Sequence, residues 1–337
     1  MRYCLTMGDP SGVGPELILK AFREGGLGGE FLVVGDLGVL RVCNEALRFG
    51  APLRKIGGRD DIEPGCINVF DLGILSGAEV EVGRVSRESG NAALRYVEAA
   101  TRRALEGSCN AVVTLPMNKE AARLSDPGFS GHTELIAGMC RTDRYAMMLA
   151  SERLTVVHVS THVSLAEAVR RVRAERIYEV IRLAAETLSR FLETPRIAVA
   201  GLNPHAGEHG AFGSEEEREI LPAVQRARAA GVDASGPEPP DTVFLKASRG
   251  GFDAVVCMYH DQGHIPLKLL DFEGGVNVTL GLPIVRTSVD HGTAFDIAWK
   301  GIASTRSLIA AVAYAGKLAS STGTHGRPAK AAKSTST

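Results

Sequence analysis

Short β-branched runs alternating with amphipathic helical stretches constrain this chain more than any other feature. Tyr3–Met7, Phe31–Gly35, Ala111–Leu115, Thr155–Val159, Arg196–Ala200 and Ala254–Met258 are the candidate strands. Asn91–Glu106 sets Ala92, Leu94, Val97, Ala100, Ala104 and Leu105 on a helical spacing. Leu165–Phe191 holds one or two further helices, and Glu215–Ala230 another that Gly231 stops. Strand–helix alternation of this kind predicts a mainly parallel sheet covered on both faces. The 337 residues suffice for two packed lobes or one large α/β domain.

The formal net charge of −1 gives no reason to expect nucleic acid or an anionic membrane surface as a partner. Any phosphate must then be held by a local site. The six cysteines are scattered without a CxxC pair, which reads as free thiols in a reducing cytosol. The N-terminus lacks a signal-peptide pattern, and no apolar run approaches the roughly 18 residues of a membrane span. A cytoplasmic protein is the expectation. Residues 319–337 are rich in Ser, Thr, Ala and Lys without periodicity and read as a disordered tail.

Four groups of residues carry possible chemistry. Gly8-Asp9-Pro10-Ser11-Gly12-Val13-Gly14-Pro15-Glu16 follows the first strand and opens a helix, with neither GxGxxG nor P-loop spacing. Ser130-Gly131-His132-Thr133-Glu134 precedes the apolar run Leu135–Met139, where free N–H groups plus His132 and Thr133 suit a phosphate or carboxylate. His162, His205 and His260 each lie just past the end of a candidate strand. In open α/β sheets those ends converge, and three imidazoles without cysteine suit zinc or another borderline divalent metal. Lys268 and Arg286 flank a Gly-rich apolar segment and could neutralise phosphate or carboxylate oxygens. Taken singly, each reads equally as a turn, a helix cap, a core histidine or a solvated charge.

Together the motifs resemble the 4-hydroxythreonine-4-phosphate dehydrogenase family. The resemblance spans roughly residues 3–318 and rests on GDPSGVGPE, SGHTE, Thr161-His162, LNPHAGE, Gly236-Pro237 to Asp241-Thr242, MYHDQG, NVTLGLP and RTSVDHGTAFDIA. It implies an α/β/α two-lobed subunit similar to isocitrate and isopropylmalate dehydrogenases, with the active site in the interlobe cleft. Lobe 1 would comprise about residues 1–128 plus 275–318, and lobe 2, which forms the dimer, about 129–274. It implies a homodimer whose metal (Zn, Co or Mg) is bound by His162 and His205 of one subunit and His260 of the other. His132, Thr133, Lys268, Asn277 and Arg286 would contact the phosphorylated substrate. NAD or NADP would meet Asn203 and Gly207 and, in the loop His291–Ala298 that resembles the cradle of the cofactor's adenosine half, His291, Gly292 and Asp296; Trp299 there replaces the usual small residue. Asp241 and Asp261 are candidates for the base or for carboxylates that orient the histidines, and Lys268 is the third catalytic candidate.

The implied reaction is oxidation of the 3-hydroxyl of 4-phosphohydroxy-L-threonine, followed by decarboxylation to 3-amino-2-oxopropyl phosphate. The alternative is the family's catabolic branch, acting on 4-phospho-D-threonate or 4-phospho-D-erythronate to give dihydroxyacetone phosphate; His264 and Phe295–Ala303 resemble that branch. A third relative, acting on an aromatic cis-dihydrodiol, would leave SGHTE, Lys268 and Arg286 facing no phosphate. An acyl-phosphate transferase of related fold would have no use for three histidines.

Overall fold

The structure, a computed structural model, describes residues 1–57 and 62–320. Twelve strands form one sheet: β1 (Arg2–Thr6), β2 (Glu30–Gly35), β3 (Leu53–Ile56), β4 (Ile67–Asp71), β5 (Ala111–Thr114), β6 (Ala146–Ala150), β7 (Thr155–His158), β8 (Ile197–Ala200), β9 (Ala234–Glu238), β10 (Ala254–Cys257), β11 (Val276–Leu280) and β12 (Val285–Val289). Their spatial order is β3-β4-β2-β1-β5-β12-β11-β6-β7-β10-β8-β9. The six expected strands are present within a residue or two at each end. β3, β4, β6, β9, β11 and β12 were not foreseen as strands.

The sheet is mainly parallel, as expected, with an antiparallel seam that the sequence did not show. β1–β5 and β12 run parallel to one another, as do β7–β10. Between these blocks β11 is antiparallel to both β12 and β6, and β6 is antiparallel to β7. The two parallel blocks therefore point in opposite directions across an antiparallel seam. The register sets Asn277 opposite Ser288 and Thr279 opposite Met147. Alternate side chains share a face, so Asn277, Thr279, Arg286, Ser288 and Met147 form one polar stripe across the seam.

The helices follow from local signals. Ser86 caps Arg87–Leu105 by accepting from Ser89 N at 3.3 Å, a contact typically worth about 1 kcal/mol. That helix buries Ala92, Tyr96, Val97 and Ala100, and the Tyr96 hydroxyl donates to Asp36 at 2.6 Å. The stretch expected to hold one or two helices contains two, Leu165–Arg170 and Ala174–Leu188. The Glu215–Ala230 stretch starts as a wide π-type turn, Glu216–Ile220, and continues as Leu221–Ala229 before Gly231 at φ 83°. Pro15 stands in the first turn of Gly14–Arg23. The last helix is Arg306–Ser320, so Ala319 and Ser320 are helical where a disordered tail was expected; residues 321–337 lie outside the described residues. The six cysteines are free, four of them buried. Among the described residues no helix is long and apolar enough to cross a membrane.

Gly90 lets the helix Arg87–Leu105 lie against Lys119–Ser125, which carries a residue of the cleft wall. A Cβ at Gly90 would overlap the Ala121 carbonyl and come 2.6 Å from Ala122 N. Gly90→Ala should lower stability by about 1–3 kcal/mol despite the better helix propensity of alanine. A urea midpoint equal to or above that of the parent would mean the two helices part freely.

Candidate active site

A cleft of about 790 Å³ opens over the seam, and its floor is the polar stripe of the sheet. Arg286, Ser288 and Asn277 come from β12 and β11, and Thr114 from the end of β5. These positions are polar on the cleft side, and on the other face Val276, Val278 and Leu280 pack towards the core while the helix Arg306–Ser320 covers the seam. Thr287, pointing the opposite way, donates to the Ala311 carbonyl of Arg306–Ser320 at 2.9 Å.

At one end of the cleft the chemistry asks for an anion. Arg286 is 3% exposed and donates to Thr279 Oγ1 at 3.0 Å and Thr114 Oγ1 at 2.7 Å. Its Nε is buried without a partner, and among the described residues no carboxylate forms an ion pair with it. Burial pulls its pKa down to about 10. A buried guanidinium that makes no direct ion pair, with only the nearby Glu134 charge opposing its burial, is costly, so the site suits a further negative group. The helix His132–Met139 starts beside it at Gly131, which supplies no side-chain cap, so the first-turn N–H groups face the cleft. Burial, followed by the Arg286 and Lys119 charges, lowers the His132 pKa to about 3; its Nε2 is buried and unpartnered. Asn277 Oδ1 is likewise unpartnered. Thr133 and Lys119 complete this end.

At the other end lie histidines. His162 and His260 of the same chain face each other with ring centroids 5.6 Å apart. Partial burial and the Lys119 charge hold the His162 pKa below the ordinary histidine range, leaving a neutral imidazole at neutral pH. His260 Nδ1 lies 2.7 Å from Asp261 Oδ1, an acceptor, so Nδ1 carries the proton and Nε2 keeps its lone pair for a ligand. Asp261 thus sits where an orienting carboxylate should. His205 is exposed on a loop in which His205, Ala206, Gly207, Glu208 and His209 all have positive φ, between 42° and 80°. Such backbone costs roughly 1 kcal/mol or more per non-glycine residue. Buried Glu216 holds the loop: its Oε1 accepts from Leu202 N and Asn203 N, each at 2.7 Å. Within one chain, no group of three or more His, Cys, Asp or Glu side chains among the described residues is arranged to hold a metal. A ligand set divided between two chains would not appear as one.

The remaining candidates fall into two groups. Lys268, His291 and Gly292 line the cleft, and Lys268 Nζ is 3.1 Å from Asp290 Oδ2 but off the hydrogen-bond direction, an ion pair free to rearrange. Asp296 is exposed next to that rim. Trp299 adopts φ 56° with its indole N–H buried and unpartnered, which explains why a small residue fits there more easily. Asn203 and Gly207 do not line the cleft. Asn203 Nδ2 bonds Glu215 and Glu216 at 2.8 and 2.9 Å, and Gly207 takes a left-handed turn over Glu216. Asp241 is exposed after β9 and is also away from the cleft of its own chain. Sequence reasoning missed Lys119, Glu216 and His158. Lys119 had a signal, the polar Asn118-Lys119 directly after a buried strand; the other two had none of their own.

Residues 29–315 match the family model described as pyridoxal phosphate biosynthetic protein PdxA. The chain is 48% identical over 320 residues to the D-threonate 4-phosphate dehydrogenase of Salmonella typhimurium, covering 94% of this chain and 98% of that protein. It is also 48% identical over 317 residues to the 4-hydroxythreonine-4-phosphate dehydrogenase of Desulfosudis oleivorans, covering 91% and 93%. The crystal structure of 4-hydroxythreonine-4-phosphate dehydrogenase from Klebsiella pneumoniae superposes with a TM-score of 0.87 at 47% identity, covering 94% of this chain and 99% of that one.

The buried histidines predict acid sensitivity. Burial lowers His132 and His158 to about 3 and His264 to about 4, so the folded chain stays unprotonated where the unfolded chain, near 6.5, takes up protons. Stability is therefore full above about pH 6.5 and falls as pH drops towards those values, by up to about 1.4 kcal/mol per pH unit per histidine. Urea unfolding of the metal-free protein at pH 7, 6 and 5 should show a net decline: buried Asp9, raised by burial to about 6, gains a proton in the folded chain and offsets about one of the three histidines. A flat profile would contradict the assigned neutral rings.

Proposed function

The chain belongs to the PdxA family, and from that premise we propose that it is a nicotinamide- and metal-dependent dehydrogenase of C4-phosphorylated 3-hydroxy acids. The substrate of the first reading is 4-phosphohydroxy-L-threonine, oxidised at C3 to a β-keto acid that loses CO2 to give 3-amino-2-oxopropyl phosphate. The second reading is D-threonate 4-phosphate, giving dihydroxyacetone phosphate. It is favoured by His264, a residue of the catabolic-branch pattern that lies against His260. The two substrates differ in the amine or hydroxyl at C2 and call for the same phosphate grip. An aromatic cis-dihydrodiol without phosphate would leave that phosphate grip unused.

The single observation that carries this reading is the buried Arg286, which has two threonine partners, no direct ion pair among the described residues and only the charge of Glu134 nearby to offset its own. A phosphate there would accept from Arg286 Nε, Lys119 and the first N–H groups of His132–Met139. That anchor sets the carbon chain pointing towards His162 and His260. A divalent ion held by His162, His205 and His260 would supply Lewis acidity at the C3 oxygen, and a nicotinamide would accept the hydride. The donor set fits: His162 is neutral and His260 Nε2 is free. Asp261 keeps the proton on His260 Nδ1. Lys268, loosely paired with Asp290, is placed to hold a substrate oxygen or return a proton at Nζ. His291 and Gly292 form the rim over which the nicotinamide cofactor would lie.

Completion of the ligand set by a second subunit is part of the proposal. Ile265, Leu269 and Phe272, on and just after the helix that begins with His260, are 64%, 84% and 74% exposed. An apolar row of that kind suits burial against a second copy.

Chelation should abolish turnover, and Zn²⁺, Co²⁺ or Mg²⁺ should restore it. His205→Ala should remove metal binding and activity with unchanged circular dichroism. Arg286→Met should raise KM for the phosphorylated acid by at least about tenfold, the loss expected for a charged hydrogen bond. The decisive assay compares 4-phosphohydroxy-L-threonine, 4-phospho-D-threonate and 4-phospho-D-erythronate with NAD and NADP. Turnover indifferent to the chelator, or to loss of the phosphate, would refute the reading.

A further inference from the structure

His158 and His264 are 1% and 8% exposed, and neither belongs to the ligand set above. His158 ends β7, and its Nδ1 lies 3.4 Å from the Met147 carbonyl oxygen. A carbonyl accepts, so Nδ1 carries the proton and Nε2 presents a lone pair. His264 Nδ1 is 3.1 Å from that Nε2 and 3.0 Å from the His260 carbonyl oxygen. Both neighbours accept, so the His264 Nδ1–H is shared between them and the ring is held from two sides. This ring stacks on His260, with centroids 3.5 Å apart and planes 12° from parallel. Gly263 makes the approach possible, since a Cβ there would come 2.7 Å from His158 Nε2 and 2.9 Å from Cys257 Sγ.

We propose that His158 and His264 form a positioning pair that fixes the plane of the His260 imidazole and thereby sets its affinity for a divalent cation. Asp261 decides which His260 nitrogen carries the proton, but its carboxylate is exposed and does not by itself stop the ring turning. The stacked His264 does so, and His158 stops His264 from turning in its place. A ligand already held in its binding orientation loses less rotamer freedom when the cation arrives. Burying two imidazoles costs solvation and their hydrogen bonds return little net stability, so geometry is what the pair specifies. The inference rests on the metal-dependent reading of the site.

The test uses the full-length protein, stripped of metal and titrated with Co²⁺, followed by visible absorption and by competition with a chelator. His158→Leu keeps the core apolar and removes the acceptor for His264. It should bind Co²⁺ about 10- to 100-fold more weakly, with an altered d–d band and undiminished metal-free thermal stability. His158→Gln, whose side-chain oxygen reaches the place of Nε2, should restore affinity and spectrum. His264→Phe keeps a flat ring on His260 and loses the donor, and it should weaken binding in the same direction; it serves if the leucine variant fails to fold. Wild-type affinity and spectrum in His158→Leu, or a glutamine variant as weak as the leucine one, would overturn the pairing. A parent protein that takes up no Co²⁺ would overturn the metal reading itself, and the pair with it, before any substitution is compared.

Discussion

The buried charge of Arg286 organises this molecule. A guanidinium buried among Thr279 and Thr114, with Nε unpartnered, is stable only where the surroundings accept a deficit of negative charge. The consequences spread outward from it. His132 beside it stays uncharged, the helix His132–Met139 starts without a cap, and Lys119 adds a second cation at the rim. Each of these would be a defect in a closed core. Around an anion they are complementary.

The seam explains why the charge lies under a cleft. β11 reverses direction between β12 and β6, which joins two parallel blocks of opposite polarity. Ligands of a simple parallel sheet gather beyond one edge, where strand ends meet. Here the strands at the junction carry Asn277, Thr279, Arg286 and Ser288 on one face, and the site lies over that face. The histidine end belongs to the second block, where the helix His260–Leu270 packs across β7 and brings His264 down onto His158. The strained loop at His205 is held from beneath by Glu216, whose carboxylate takes two backbone N–H groups that the left-handed turn cannot pair internally.

Much of this was legible in the residues. The buried strands Ala111–Thr114 and Ala254–Cys257 announce themselves as unbroken β-branched runs, and SGHTE marks a helix start open to an anion because no side chain there is needed as a cap. β11 was missed although Val276-Asn277-Val278-Thr279-Leu280 alternates strictly, since its polar positions were read as contact residues and not as one face of a strand. Asn203 and Gly207 enter as cofactor contacts through the family resemblance; in the fold they sit against Glu216, outside the cleft of their own chain. A carboxylate thirteen residues away along the chain leaves no periodic trace at Asn203.

What the sequence alone determined is therefore local: which stretches are strands and helices, where a helix begins uncapped, and which residue types could grip a phosphate or ligate a metal. These follow from short-range sterics and from hydrophobic spacing, which act within a few residues. Tertiary structure alone decided the reversal at the seam, the lack of a direct ion pair to Arg286 among the described residues, and the stacking of His260 on a ring pinned by His158, more than a hundred positions away. Those depend on strand order and on which groups are missing from a neighbourhood, and neither is encoded at any single position.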